Sequence, residues 1–177
     1  MSGTAALFIS HWDHKDIHQH IHKFGSEAAN RTLCASHSKT VYCTRSYYGT
    51  DELFPAFDKE SGRLQQPYLY LSMVEFEWWG YLLRQSSDTL DGYGSNSDPD
   101  EVTEDYSITE RQRTMDSFPH CAAELQEFLA KYCPAPSRAS MHRKRVGRNR
   151  PLIEPEKAFY KFLEILGGKW PDLRVQC

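Results

Sequence analysis

The sequence lacks the features that identify several large classes of protein. No stretch approaches the roughly 18 consecutive apolar residues of a membrane-spanning helix. The longest apolar region, 68–83, is interrupted by Ser72, Glu75, Glu77 and Gly80. The N-terminus has no basic region followed by an apolar one, so we expect no secretory signal. These absences predict an intracellular protein without a membrane span, either cytosolic or in an organelle-associated complex.

Cysteines are few, and their spacing matches no common metal-binding or redox motif. The chain has 5 cysteines, an odd number, and none stands in a CxxC pair. A disulfide framework or a zinc ribbon is therefore not expected, and free thiols in a reducing compartment are the better interpretation. Their positions are Cys34, Cys43, Cys121, Cys133 and Cys177.

The common catalytic motifs are also missing. There is no P-loop, GxGxxG, HExxH or GxSxG pattern in the sequence. Whether the chain is an enzyme stays open on this ground, with a non-enzymatic role favoured.

The composition predicts one folded domain over residues 1–177. A chain of 177 residues with 10 Tyr, 9 Phe and 4 Trp has ample surface to bury. The net charge of −3 and the pI of about 6.2 argue against a surface that binds nucleic acid over its whole extent.

The pattern of apolar residues predicts an α+β fold that is mainly helical. Residues 5–9 and 40–44 read as short strands, and 49–67 as turns because of their Gly and Pro residues. Helical stripes extend over 13–24, over 117–132 before Pro134, and over 155–166 before Gly167. We expect a short N-terminal β element packed with about four helices.

Residues 68–84 are the most aromatic part of the chain. Their spacing approximates a helical stripe, and a strand followed by a helix is the alternative. So much apolar surface faces either a core or a partner. The residues predicted to anchor a partner are Tyr70, Phe76, Trp78 and Trp79, with burial in the core an equal alternative for each.

Two segments carry charge of a single sign. Residues 86–105 hold seven acids and no base, which predicts a flexible acidic insertion. The linker 134–151 holds six bases and no acid, and Arg143, Lys144, Arg145 and Arg148 are its predicted contacts. The basic segment 138–150 suits an acidic protein face, the acidic insertion itself, or RNA.

Histidine is concentrated near the N-terminus. Five of the 8 histidines lie between positions 11 and 22, and His14, His18 and His22 share one face of the predicted helix. That spacing lets two imidazoles converge on one Zn²⁺ ion, with further ligands from elsewhere. The alternative is a solvated helix face whose histidines titrate independently.

Two family patterns overlap this N-terminal segment. The run Leu7-Phe8-Ile9-Ser10-His11 resembles the opening strand of Toll/interleukin-1-receptor domains, whose glutamate motif is not matched after Trp78-Trp79. Residues 10–16 are similar to the His-x-His-x-Asp-His motif of metallo-β-lactamase-fold hydrolases, although Asp13 stands at the second His position.

The sequence therefore supports two hypotheses from different classes. The favoured one is a non-enzymatic interaction protein, an accessory or structural subunit of a larger assembly. Its basis is the aromatic excess, the oppositely charged segments and the missing motifs. The alternative is a zinc-dependent, hydrolase-like enzyme that uses the histidine cluster.

Overall fold

The structure, a computed structural model, describes residues 5–12, 31–32, 40–44, 50–75, 78–95, 111–133 and 153–167. Within them, six strands form one antiparallel sheet and four α-helices pack against it. The strands are β1 (Ala5–Ser10), β2 (Arg31–Thr32), β3 (Thr40–Thr44), β4 (Tyr68–Val74), β5 (Trp78–Gln85) and β6 (Asp88–Ser95). The helices are α1 (Thr50–Leu64), α2 (Arg111–Ser117), α3 (Ala122–Tyr132) and α4 (Pro155–Ile165), and a 3₁₀ turn at Pro119–Cys121 precedes α3.

The N-terminal strand lies inside the sheet. The strand order is β2-β3-β1-β4-β5-β6, and every pairing is antiparallel. Residues 6–10 of β1 are all buried, because side chains of both faces are covered. This explains why the sequence of β1 is a continuous apolar run rather than an alternating one. The prediction of strands at 5–9 and 40–44 is confirmed.

The aromatic segment 68–84 is a β-hairpin. Strands β4 and β5 pair with Leu71 opposite Tyr81. Alternate residues face opposite sides of the sheet, which divides the hairpin between two clusters. The helical interpretation of this segment is wrong. Strand β4 is buried on both faces, so its sequence is a continuous apolar run, and such a run does not distinguish a buried strand from a buried helix.

One face of the sheet, the three-helix face, packs against α2, α3 and α4. Tyr81 stacks on Phe162 of α4 at 5.0 Å between ring centroids. The predicted helices at 117–132 and 155–166 are confirmed as the turn Pro119–Cys121 with α3, and as α4. Gly167 takes φ 88° just after α4, a conformation that favours glycine.

The opposite face, the α1 face, is covered in part by α1. Phe57 stacks on Phe8 of β1 at 4.3 Å, and Phe54 lies 4.7 Å from Tyr70 of β4. The prediction of turns over 49–67 is wrong. Pro55 lies inside α1, where packing of the aromatic side chains on the sheet outweighs its low helix propensity.

The prediction of a mainly helical domain with one short β element is therefore wrong. The centre of the fold is the six-stranded sheet, and helix and strand are roughly balanced in the described residues. Strand β6 occupies 88–95 of the segment predicted as a flexible insertion. No helix in the described ranges is long and apolar enough to cross a membrane.

Candidate functional site

Two of the four predicted partner-binding aromatics lie in the core. Trp79 is 1% exposed, with Phe128 and Phe162 at 5.9 and 6.1 Å between ring centroids. Tyr70 is 6% exposed beneath α1. Neither side chain offers surface to a partner in this fold. Phe76 lies outside the described residues.

Trp78 differs from these residues, because it is half-buried on the α1 face. Its ring lies over Gly80 and over Gly94, which are paired across β5 and β6. A Cβ atom would come within 2.8 Å of the ring at Gly80 and within 3.3 Å at Gly94. A larger residue at Gly80 would displace the indole, so glycine is required for this close approach. We call Trp78, Gly80 and Gly94 the Trp78 seat.

A buried ionic network joins α2 to the hairpin β5–β6. The side chain of Asp91 is 0% exposed, and its Oδ1 accepts a hydrogen bond from Nη1 of Arg111 at 2.5 Å. Its Oδ2 accepts hydrogen bonds from the Tyr81 hydroxyl at 2.9 Å and the Thr114 hydroxyl at 2.5 Å. Nη2 of Arg111 also donates to the Cys133 carbonyl at 3.1 Å. We call this the Asp91 network; it satisfies a carboxylate that would be costly to bury alone.

A second network of the same residue types lies on the α1 face. Arg84 binds Asp58 through two hydrogen bonds, Nε to Oδ1 at 3.1 Å and Nη2 to Oδ2 at 2.8 Å. The Tyr68 hydroxyl donates to Oδ1 of Asp58 at 2.6 Å. The two charged side chains are 18% and 19% exposed. This Asp58 network joins α1 to strands β4 and β5, with the Arg84 guanidinium 5.3 Å from the Phe54 ring centroid.

The tyrosines of both networks are held in their neutral form. Burial raises the pKa of Tyr81 well above its ordinary value, and the neighbouring Asp91 raises it further. Burial and then the hydrogen bond to Asp58 raise the pKa of Tyr68. Burial, with a smaller contribution from the nearby Cys133 thiol, raises the pKa of Tyr93 from 10.0 to about 12. None of these phenols can supply or accept a proton near neutral pH, which favours a structural role.

An open groove of about 550 Å³ lies where β1 ends, α2 ends and the β5–β6 turn begins. The Nε2–H of His11 donates to the Ser117 carbonyl at 2.6 Å, because a carbonyl can only accept. The Ser117 hydroxyl donates instead to the Arg113 carbonyl at 2.7 Å. The two side chains therefore do not form a nucleophile–base pair. The groove is lined by His11, Gln66, Pro67, Gln85, Leu90, Arg113, Asp116 and Ser117.

Cys121 and Cys133 are buried and are not joined in a disulfide. Burial raises the pKa of the Cys133 thiol above its ordinary value. The Cys121 thiol donates to the Phe118 carbonyl at 3.5 Å. A buried thiol that stays protonated is a poor nucleophile, so Cys133 acts as part of the core.

The predicted zinc ligands His14, His18 and His22 lie outside the described residues, as do Arg143, Lys144, Arg145 and Arg148 of the basic segment. Among the residues that are described, no three His, Cys, Asp or Glu side chains come together in a way that could hold a metal ion.

Sequence reasoning missed both ionic networks. Asp91 and Arg111 are 20 residues apart in the sequence, and Asp58 and Arg84 are 26 apart. In each pair the two residues lie on different elements, one on a helix and one on a strand. One signal was present: Arg111 is the first base after a long acidic stretch, and such a stretch requires a base from another element if part of it is buried.

Comparison of the chain with protein-family models, with curated proteins and with solved structures finds no match in any of the three.

Proposed function

We propose that this chain is a non-enzymatic interaction protein, an accessory subunit that binds another protein of a larger assembly. The observation that carries the proposal is the Trp78 seat. A half-buried indole lies fixed over two paired glycines on the sheet face, and tryptophan is the residue most enriched among interface hot spots.

The two glycines make a functional explanation of the seat more persuasive. Glycine within a strand costs roughly 0.5–1 kcal/mol relative to alanine. Gly80 and Gly94 therefore lower the stability of β5 and β6, and their missing side chains allow the Trp78 ring to lie directly against the two strands. A side chain ordered before binding loses little conformational entropy when a partner covers it.

The basic segment 138–150 is the proposed second contact. Its Arg143, Lys144, Arg145 and Arg148 would orient an acidic protein face, and RNA is the competing anionic partner. A reducing intracellular compartment suits Cys121 and Cys133, which are not joined in a disulfide.

The test is quantitative recovery of partners from the source cells by the tagged full-length chain. Trp78→Ala should reduce recovery of the main co-purifying protein at least about tenfold. Tyr160→Ala is the matched control, because Tyr160 is a half-buried aromatic on α4. It should leave recovery unchanged, with circular dichroism showing that both variants are folded.

The triple charge reversal Arg143→Glu, Lys144→Glu and Arg145→Glu tests the second contact. It should weaken recovery of the same protein in a salt-dependent way. Co-purification of an identical set of proteins by wild type and Trp78→Ala would contradict the proposal. Loss of bound RNA alone in the triple variant would identify nucleic acid as the partner of the basic segment.

The zinc-enzyme alternative rests on the spacing of His14, His18 and His22. Stoichiometric zinc in the purified chain, lost in His14→Ala and His18→Ala, would favour that alternative over an accessory subunit.

A further inference from the structure

The Asp91 network also contacts the backbone of β6, the border strand at the opposite end of the sheet from β2. Among the described strands, β6 has a neighbour on one side only. The Gly92 N–H donates to Oδ1 of Asp91 at 2.8 Å, and the Gly92 carbonyl accepts from Nη1 of Arg111 at 2.9 Å. Both hydrogen-bonding groups of this residue are therefore occupied by one ion pair.

These are the groups that a further strand would need. In an antiparallel ladder, alternate residues point both backbone groups to the same side. The Tyr93 carbonyl points toward β5, since it lies 2.6 Å from where a Cβ of Gly80 would stand. The backbone groups of Gly92, the next residue along β6, therefore point away from β5, to the side where none of the described strands pairs and where a strand from another chain would pair.

Helix α2 keeps this closure in place. Arg111 is the first residue of α2, and α2 contacts β6. Thr114, one turn later, donates to the same carboxylate. Nη2 of Arg111 is anchored at the Cys133 carbonyl, so the guanidinium spans from the end of α3 to the sheet border.

We infer that the Asp91–Arg111 pair closes the β6 edge against antiparallel pairing with the β6 edge of a second copy of this chain. An edge strand is self-complementary about a two-fold axis, which makes a second copy the partner that is always present. Gly92 and Gly94 themselves carry no side chain that would hinder an approaching strand. The charged pair supplies the obstruction that these glycines cannot.

The experiment compares Arg111→Met with Arg84→Met in the full chain by sedimentation velocity over a wide range of concentrations. Both variants remove the arginine of an Asp–Arg–Tyr network, but of the two side chains only that of Arg111 donates to the backbone of β6. Arg111→Met should lower the dissociation constant of a dimer at least about tenfold relative to wild type. Arg84→Met should change it less than about twofold.

Two further measurements separate edge pairing from aggregation of unfolded chains. In the Arg111→Met dimer, the Gly94 amide should gain protection from hydrogen exchange, which aggregation through unfolded segments would not confine to that residue. Arg111→Lys keeps the positive charge beside Asp91. Its single nitrogen cannot serve Asp91, Gly92 and Cys133 together, so this variant should dimerise to an intermediate extent.

Equal association of the Arg84→Met and Arg111→Met variants would overturn the inference. So would Arg111→Met and Arg111→Lys variants that both fold and associate no more than wild type.

Discussion

The two faces of the sheet carry networks of the same composition in different surroundings. On the three-helix face, Asp91 is fully buried and binds Arg111 and Tyr81. On the α1 face, Asp58 is 18% exposed and binds Arg84 and Tyr68.

Each network fastens a helix to the sheet, but their further contacts differ. Arg111 donates to the Gly92 carbonyl on the open side of β6, whereas Arg84 donates to the Ser87 carbonyl in the β5–β6 turn at 3.3 Å. The role of an ion pair is therefore set by the strand that it touches and by its burial, not by its residue types.

The largest expected effect is that of Asp91→Asn. The substitution leaves the Arg111 guanidinium without a carboxylate in a buried site, which typically costs about 3–5 kcal/mol. We expect a loss of that size in the free energy of unfolding, measured in urea. A loss below about 1 kcal/mol would mean that water reaches the Asp91 network in solution.

Asp58→Asn should have a smaller effect. The Asp58–Arg84 pair is partly exposed, so water can replace some of the lost interaction. We expect the free energy of unfolding to fall by about 1.5–3 kcal/mol. Equal losses for Asp58→Asn and Asp91→Asn in the same urea series would remove the distinction between the two networks.

Removing the phenol hydroxyls sharpens the comparison further. The Tyr81 hydroxyl donates to Asp91 and accepts from Arg111, whereas the Tyr68 hydroxyl donates to Asp58. We expect Tyr81→Phe to cost about 1–2 kcal/mol and Tyr68→Phe about 0.5–1.5 kcal/mol. Thermal unfolding of the two variants beside wild type measures the difference, and a larger cost for Tyr68→Phe would contradict it.

The smallest effect is expected from mildly alkaline pH, because the phenols of Tyr68, Tyr81 and Tyr93 stay largely protonated below about pH 10 in both the folded and the unfolded state. The folded pKa values of Tyr68, Tyr81 and Tyr93 are raised, so the folded state holds these protons more tightly than the unfolded state does. Their contribution to stability is complete below about pH 10 and is lost as the pH rises above it.

Ultraviolet absorbance of the phenolates measures this titration. Tyr93 should ionise with a midpoint of about 12, while Tyr68 and Tyr81 should ionise only as the protein unfolds. Tyr68→Phe and Tyr81→Phe assign the two late transitions. Ionisation of either residue near pH 10 in the folded protein would show that its network is open to water.

The elements that the sequence predicted well are those whose signal is local. Helix α4 has Pro155 at its start, a stripe that includes Phe159 and Phe162, and Gly167 after its end, and each of these is visible without tertiary information. The buried strand β1 was likewise evident from its short apolar run.

The elements that it missed depend on contacts far along the chain. Pro55 and Gly62 suggested turns, yet α1 forms because Phe54 and Phe57 pack on strands β1 and β4. The Trp78 seat requires two glycines brought together by strand pairing. Sequence identified Trp78 as a candidate anchor, but only the register distinguishes it from the buried Trp79.

The most direct test of the central claim is hydrogen exchange at the Gly92 amide of the wild-type protein, measured by nuclear magnetic resonance. If the Asp91–Arg111 pair closes the sheet border, this amide should be protected nearly as strongly as the amides inside the sheet, although it points to the open side of β6. Exchange at the rate of an unstructured peptide would contradict the account.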